Sequence, residues 1–322
     1  MGVNLKDIVP HQALDFEQLH GKTIAIDALN TLYQFLASIR QPDGTPLMNS
    51  KGEVTSHLTG LLYRTSNLLN LGIKPIYVFD GEPPKLKHHE LARRAEFKKE
   101  SLEEWERAKQ EGRLDDALKH AKRTSRMTDE MMDDAKKLLG YMGIPSIQAP
   151  SEGEAQCVHL CLKNEAWAVG SQDYDALLFG APRLVKGLTL SGKIELSLVE
   201  LQATLQALGI TREQLVDVAI LVGTDFNDGV RGIGPKKGLK AVKENTLGEL
   251  DIGFDMDEIR EIFLKPNVTD DYAITWGLAD ENRLVEFLCG RHDFSQARVV
   301  NAARELVARQ KALSQQSLDR WF

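Results

Sequence analysis

The sequence predicts an α/β fold: a twisted, parallel-rich sheet flanked by helices. Three short apolar runs carry that prediction, Thr23-Ile-Ala-Ile-Asp27, Pro75-Ile-Tyr-Val-Phe-Asp80 and Trp167-Ala-Val-Gly-Ser-Gln-Asp173, which read as buried strands. Each run ends on an aspartate, which places an acid at the carboxyl rim where open α/β sheets bind ligands. A chain of 322 residues, 42% hydrophobic and 27% charged, can bury a substantial core and has the composition of an ordinary soluble protein. No apolar run approaches membrane-spanning length, and residues 1–6 lack the apolar stretch of a signal peptide. Lys6 also breaks the myristoylation pattern, so no membrane partner is expected. Three cysteines, an odd number, read as reduced thiols in an intracellular protein.

Taken in chain order, seven acids stand at strand ends or helix starts: Asp27, Asp80, Glu152, Glu154, Asp173, Asp175 and Asp225. Any one of them alone is accounted for as a helix N-cap, and Ser151 with Glu154 has the spacing of a capping box. Gathered at one rim, however, they would repel one another and take up protons unless cations held them. No His or Cys is interleaved among them, which favours Mg²⁺ or Mn²⁺ over Zn²⁺.

After Asp80 the charge changes sign. The net charge is −7, yet residues 85–126 hold thirteen Lys and Arg against nine Asp and Glu, a local +4 that leaves −11 for the remainder. A basic surface of this kind suits a phosphate backbone whatever the global sum. The stretch has no proline between Pro84 and Pro145 and reads as two or three helices broken at Gly112. Its sparse apolar positions belong to helices standing away from a core, and a solvated, ion-paired hairpin is the plainer reading of the same residues. Lys87 and Arg94, two helical turns apart, project from one face. A helix leaving the rim at Asp80 therefore hangs both cations over the acids, where charge develops in phosphoryl transfer.

Farther on, Gly229-Val-Arg-Gly-Ile-Gly-Pro-Lys-Lys-Gly-Leu-Lys240 lies between two apolar helical patterns. Gly232 and Gly234 allow backbone amides to approach a phosphate, and Lys236, Lys237 and Lys240 supply charge. Residues 254–309 are helical by pattern and show no chemistry. Near the start, Arg40 and Thr55 flank a turn-rich connection containing Gln41-Pro-Asp-Gly44 and Asn49-Ser-Lys-Gly52. At the end, Leu318, Trp321 and Phe322 at i, i+3 and i+4 make an apolar plug one turn after Gln315, an unusual cargo for a chain terminus.

Four blocks, Val78-Phe-Asp-Gly-Glu-Pro-Pro-Lys-Leu-Lys87, Ala149-Pro-Ser-Glu-Gly-Glu-Ala-Gln156, Ser171-Gln-Asp-Tyr-Asp-Ala-Leu-Leu-Phe-Gly180 and Gly223-Thr-Asp-Phe-Asn227, closely resemble the signatures of flap endonucleases, the structure-specific 5′ nucleases. The likeness runs from Met1 to Phe322. It implies removal of 5′ flaps during lagging-strand replication and repair, with 5′ exonuclease activity beside it. The implied chemistry is two-metal phosphodiester hydrolysis that leaves a 5′-phosphate and a 3′-hydroxyl.

The same resemblance assigns all seven acids to two Mg²⁺ ions, for which Mn²⁺ substitutes, and gives Lys87 and Arg94 the scissile phosphate. Tyr33 becomes the aromatic on which an unpaired base stacks, and Arg40 and Thr55 line a pocket for a one-nucleotide 3′ flap. A helical arch is implied at about 85–130 and a helix–two-turn–helix at about 215–245, the latter gripping duplex DNA with K⁺ held by turn carbonyls. A nuclease core of residues 1–308 precedes a flexible tail, 309–322, whose Gln315, Leu318, Trp321 and Phe322 enter the replication sliding clamp. A monomer of archaeal type is expected, cytoplasmic and chromosome-associated, or nuclear if eukaryotic. Asp228 departs from the pattern, since many relatives have proline there. Nucleases that cut bubbles or junctions share the carboxylate core, and a silent clamp-recruited DNA-binding adaptor is the alternative outside enzymes. Retention of Asp80, Glu154 and Asp173 argues against the adaptor.

Overall fold

A computed structural model describes residues 2–122, 124–188 and 195–318. A short edge strand, β1 (Gln12–Leu14), precedes β2 (Thr23–Asp27), the first of the expected strands. Helices α1 (Ala28–Ser38) and α2 (Ser56–Asn70) lead to β3 (Lys74–Phe79). Next come α3 (Lys87–Gln110), α4 (Leu114–Ala121), α5 (Asp129–Tyr141) and β4 (Ser146–Gln148). The sheet is completed by β5 (Ala168–Gly170), β6 (Arg183–Lys186) and β7 (Leu196–Glu200), with α6 (Gly153–Leu162) before β5 and α7 (Asp175–Phe179) after it. The remainder is helical: α8 (Leu201–Leu208), α9 (Arg212–Val222), α10 (Pro235–Lys243), α11 (Met256–Leu264), α12 (Glu281–Val285) and α13 (Gln296–Leu318). Helix α13 runs through residues 308 and 309, where the core was expected to give way to the tail.

The strands form one sheet in the order β1-β7-β6-β5-β2-β3-β4. From β6 to β4 every pairing is parallel, and only β7 and β1 join antiparallel, so the parallel-rich expectation holds. Because side chains alternate along a strand, the sheet feeds two cores. Ala25, Ile76, Val78 and Val169 face the core built with α6, α7, α9 and α11. Ile24, Ile26, Tyr77 and Phe79 face the one built with α1, α2, α5 and α13. The hydroxyl of fully buried Tyr77 is satisfied by Thr65 Oγ1 at 2.8 Å.

The topology creates a crevice. From β2 the chain builds outward through β3 and β4, then returns with β5 to the opposite side of β2. The carboxyl ends of β2 and β5 therefore flank the switch point, where open α/β sheets hold ligands.

Helices α3 and α4 pack on each other, and only Ser101 and Ala108 of α3 are buried. Gly112 takes φ +72° between them, the break expected from sequence. The far end of α3 is tied down by Trp105 Nε1, which donates to Asp43 O, and by Lys109, 2.8 Å from the Asp43 carboxylate.

Candidate active site

Asp27 ends β2 and Asp173 follows β5, so each strand beside the switch point delivers a carboxylate. Asp27 does cap α1, accepting from Asn30 N at 2.9 Å, and Asn30 Nδ2 then donates to Asp173 at 2.7 Å. Asp80, just past β3, accepts from Gly153 N at 2.5 Å. A Cβ on Gly153 would stand 2.6 Å from that same oxygen, so glycine is what lets α6 begin against Asp80. Asp175 opens α7 and accepts from Val3 N at 2.8 Å, which draws the start of the chain onto the site. Gly2 is equally constrained, since a Cβ there would meet Asp173 and Asp175 within 3 Å.

The capping box expected at Ser151 and Glu154 does not form. The N-cap of α6 is Glu152, without a side-chain cap bond. Ser151 Oγ instead donates to Glu82 O at 2.9 Å, securing the turn after Asp80, while Glu154 accepts from Ser171 Oγ inside the crevice. Buried Glu154 thus satisfies its carboxylate among the other acids and leaves the start of α6 without a side-chain cap.

The seven carboxylates form one electrostatic cluster. Burial, then Asp80 and Asp173, push Asp27 well above the usual carboxylate range, and burial with Asp175, Asp27 and Asp173 does the same to Glu154. Asp175 is pushed up to about 7 by burial, Asp225 and Asp173. Asp80 and Glu152 are raised chiefly by burial, against the opposing pull of Lys87. At Asp225 burial is outweighed by nearby positive charge, including Arg94 and Lys87, and the carboxyl falls below its ordinary value. An all-oxygen donor set under this repulsion fits a hard divalent cation. As they stand, no three of these carboxylates among the described residues converge as ligands of one ion; their oxygens are engaged by the partners just named and by two cations.

Those cations come from α3. Lys87 Nζ is 2.5 Å from Glu152 and 3.6 Å from Asp225. Arg94, two turns on, donates from Nε to Glu90 at 2.8 Å and from Nη2 to Asp225 at 2.5 Å. Burial opposes the charge of Lys87, but Glu152, Asp225 and Asp80 together raise its pKa. Tyr33, on α1, is half-buried and carries Lys98 Nζ of α3 at 4.5 Å over its ring, so it is no ordinary core aromatic.

Other sequence candidates lie elsewhere. The Arg40 guanidinium is bound to Leu36 O and Gly44 O at 2.8 Å and to Ser125 Oγ at 2.9 Å, and Thr55 is buried at the start of α2. Neither shares a hydrogen bond or ion pair with the acids. Between α9 and α10, Gly232 takes φ +80° and Gly234 is the N-cap of α10. Lys236, Lys237 and Lys240 are exposed there; Lys237 donates to Gly232 O at 3.0 Å, and Lys240 lies 3.9 Å from Glu244. The side chains of Gln315 and Leu318, and all of Trp321 and Phe322, lie outside the described residues.

Sequence reasoning missed Gly2, Asn30, Glu90 and Ser171. Asn30 and Ser171 carried a faint signal, being polar residues within three positions of a strand-end acid. Asp228, the departure from the family pattern, meets Arg93 Nη1 of α3 at 3.0 Å.

The chain matches the XPG N-terminal domain over residues 1–101 and the XPG I-region over 143–225. It is 51% identical to flap endonuclease 1 of Methanothermobacter thermautotrophicus across 100% of both chains. With that of Pyrococcus furiosus it shares 49% identity, covering 100% of this chain and 99% of the other. The structure superposes on flap endonuclease-1 from Methanococcus jannaschii with a TM-score of 0.80 and 42% identity, over 97% of this chain and 99% of that one. Its α/β core, its acid-lined switch point and this identity over the full length lead to one conclusion: the chain belongs to the flap endonuclease 1 family of nucleases.

Proposed function

We propose that the chain hydrolyses the phosphodiester at the base of a 5′ flap on branched DNA, serving lagging-strand replication and repair, and trims exposed 5′ ends as an exonuclease. The observation that carries this reading is the placement of Lys87 and Arg94 against Glu152 and Asp225, two members of a seven-acid cluster at the sheet's switch point. Two Mg²⁺ held by the seven carboxylates, or Mn²⁺ in their place, would supply an activated water and positive charge for in-line attack on phosphorus.

The chain's own residues do the rest. Lys87 and Arg94 exchange their carboxylate partners for the scissile phosphate, so their charge opposes that developing on its oxygens. Asn30 holds Asp27 and Asp173 in register, and Gly153 keeps α6 close to Asp80. Tyr33 offers a base the ring face that Lys98 now covers. Helices α3 and α4 form the arch that admits a single-stranded flap. The Gly232 and Gly234 turn, with Lys236, Lys237 and Lys240, grips duplex backbone as the helix–two-turn–helix, whose turn carbonyls would hold K⁺. Arg40 and Thr55 accept a one-nucleotide 3′ flap, for which Arg40 must give up an internal partner. The residues from Gln315 to Phe322 dock on the sliding clamp, and the enzyme works as a monomer.

The test is cleavage of end-labelled double-flap DNA with Mg²⁺, beside EDTA and blunt-duplex controls, mapped to the nucleotide. A metal-dependent cut at or one nucleotide inside the 5′ flap junction is expected. Tight binding without a cut would replace this reading with that of the adaptor, and preferential cutting of a bubble or junction would change the substrate.

A further inference from the structure

We propose that Lys186, seated on the ring of Tyr174, forms with Lys6 a phosphate subsite on the β6 side of the carboxylate cluster, where it holds a backbone phosphodiester of the cleaved strand next to the scissile one. The inference rests on the nuclease reading above and adds a second grip on the same strand.

Lys186 ends β6, the parallel neighbour of β5, and so stands on the same rim as Asp173. Its Nζ lies 3.4 Å from the centroid of the Tyr174 ring, and Tyr174 is the residue between Asp173 and Asp175. The ring is itself braced. Its hydroxyl is 2.8 Å from His11 Nε2, the two rings meet edge to face at 5.8 Å, and His11 Nδ1 lies 3.3 Å from Ser197 Oγ on β7. Strands β6 and β7, His11 just before β1 and the N-cap of α7 thus hold one lysine over an aromatic face.

That lysine differs from the cations of α3. Lys87 and Arg94 are each ion-paired to a carboxylate of the cluster, whereas Lys186 feels Asp173, Glu154 and Asp175 only at a distance and makes no ion pair among the described residues. Burial, reinforced by Lys6, brings its pKa down to about 8, so it remains charged at pH 7. Lys6 is exposed and acts as a like charge on both Lys186 and His11. A lysine fixed on a π face without an ion pair, with a second cation near enough to act on it, suits an anion arriving from outside. The anion is a phosphodiester because the cluster alongside handles one. Successive phosphates of a strand advance by only about 3.4 Å along the helix axis, so a strand held at the scissile phosphate by α3 carries a neighbour toward β6.

Binding of double-flap DNA by the full chain, measured by fluorescence anisotropy in EDTA from about 50 to 200 mM KCl, tests this without reference to catalysis. Lys186→Met, with Lys186→Gln beside it, should reduce the slope of log Kd against log salt by about one, and Lys186→Arg should restore it. Uncharged methylphosphonate linkages placed one at a time around the scissile bond then locate the contact under single-turnover conditions with Mg²⁺. The wild type should slow by about tenfold at one neighbouring linkage, and Lys186→Met should slow no further there. A lysine that merely braces Tyr174 would leave the salt slope unchanged and every methylphosphonate effect as large as in the wild type, which overturns the subsite. Failure of the wild type to cut any DNA rejects the nuclease reading instead, and the salt slope still decides whether Lys186 meets a phosphate.

Discussion

Lys87 Nζ stands 2.5 Å from Glu152 Oε2 and 3.6 Å from Asp225 Oδ2, one ammonium shared between carboxylates on two different elements. The two acids respond differently. Asp225, which also has Arg94, is held low, while Glu152, half-buried and facing Asp80, stays high despite the contact. Lys87 is therefore a counter-ion to both acids, and on the proposed reading it leaves them for the scissile phosphate. Lys87→Ala should lower the single-turnover cleavage rate on the order of 10²- to 10³-fold, while double-flap binding changes by less than about threefold. Equal losses in rate and binding would make Lys87 a binding residue only.

Asp173 is held by Asn30 Nδ2, and the backbone N–H of the same Asn30 is capped by the Asp27 carboxylate. Asp173→Ala removes a charge from the centre of the cluster without touching α3, α9 or α10. Cleavage should fall by at least about 10³-fold, with duplex affinity within about twofold of the wild type. Near-normal turnover would take Asp173 out of the metal-holding set.

A separate group governs stability in acid. His57, on α2, is 1% exposed, and neither ring nitrogen has a partner among the described residues. Burial, then the nearby His292, pull its pKa down to about 3. Between that value and an unfolded value near 6.5, the unfolded chain binds more protons than the folded one. The stability contributed by neutral His57 is therefore complete above pH 6.5 and is lost as pH falls, by about 1.4 kcal/mol per pH unit. Asp27, Glu154 and Asp175, whose pKa values are raised, act in the opposite sense and destabilise as pH rises. Comparison with His57→Leu cancels them. Urea unfolding at pH 7.5 and pH 5 should show the wild type losing about 2 kcal/mol more than the variant. Parallel losses would mean that His57 is charged or solvated when folded.

The three central strands β5, β2 and β3 were legible because buried parallel strands are apolar on both faces, and the acids because a strand end on a rim needs only local sequence to locate. Lys87 and Arg94 were legible for a similar reason, since helical spacing alone puts them on one face. What local sequence could not supply were partners set by topology. Asn30 meets Asp173 across 143 residues and Val3 meets Asp175 across 172. The capping box misled because Ser and Glu serve helix ends and buried polar clusters alike, and only burial decides between them. Lys186 was invisible for the same kind of reason: its aromatic seat belongs to another strand's loop.

If residues 315–322 are the clamp ligand, deleting them should abolish stimulation of cleavage by the sliding clamp and leave basal cleavage within about twofold. The apolar plug carries contact area that no residue of the acid cluster shares, which is why the two effects separate. Undiminished stimulation would move the clamp contact to another surface.

The pair between Asp228 and Arg93 links the loop after α9 to the root of α3, but both side chains are largely in water, 65% and 59% exposed. Arg93 also has Glu90 at 2.5 Å, so loss of Asp228 leaves it with a partner one turn away. An exposed pair of this geometry contributes at most about 1 kcal/mol. Asp228→Ala should therefore change unfolding stability by less than about 0.5 kcal/mol and leave the single-turnover rate unaltered, although Asp228 lies three residues from Asp225. A rate loss above about tenfold would show that the loop sets the position of α3, whose Arg94 holds Asp225.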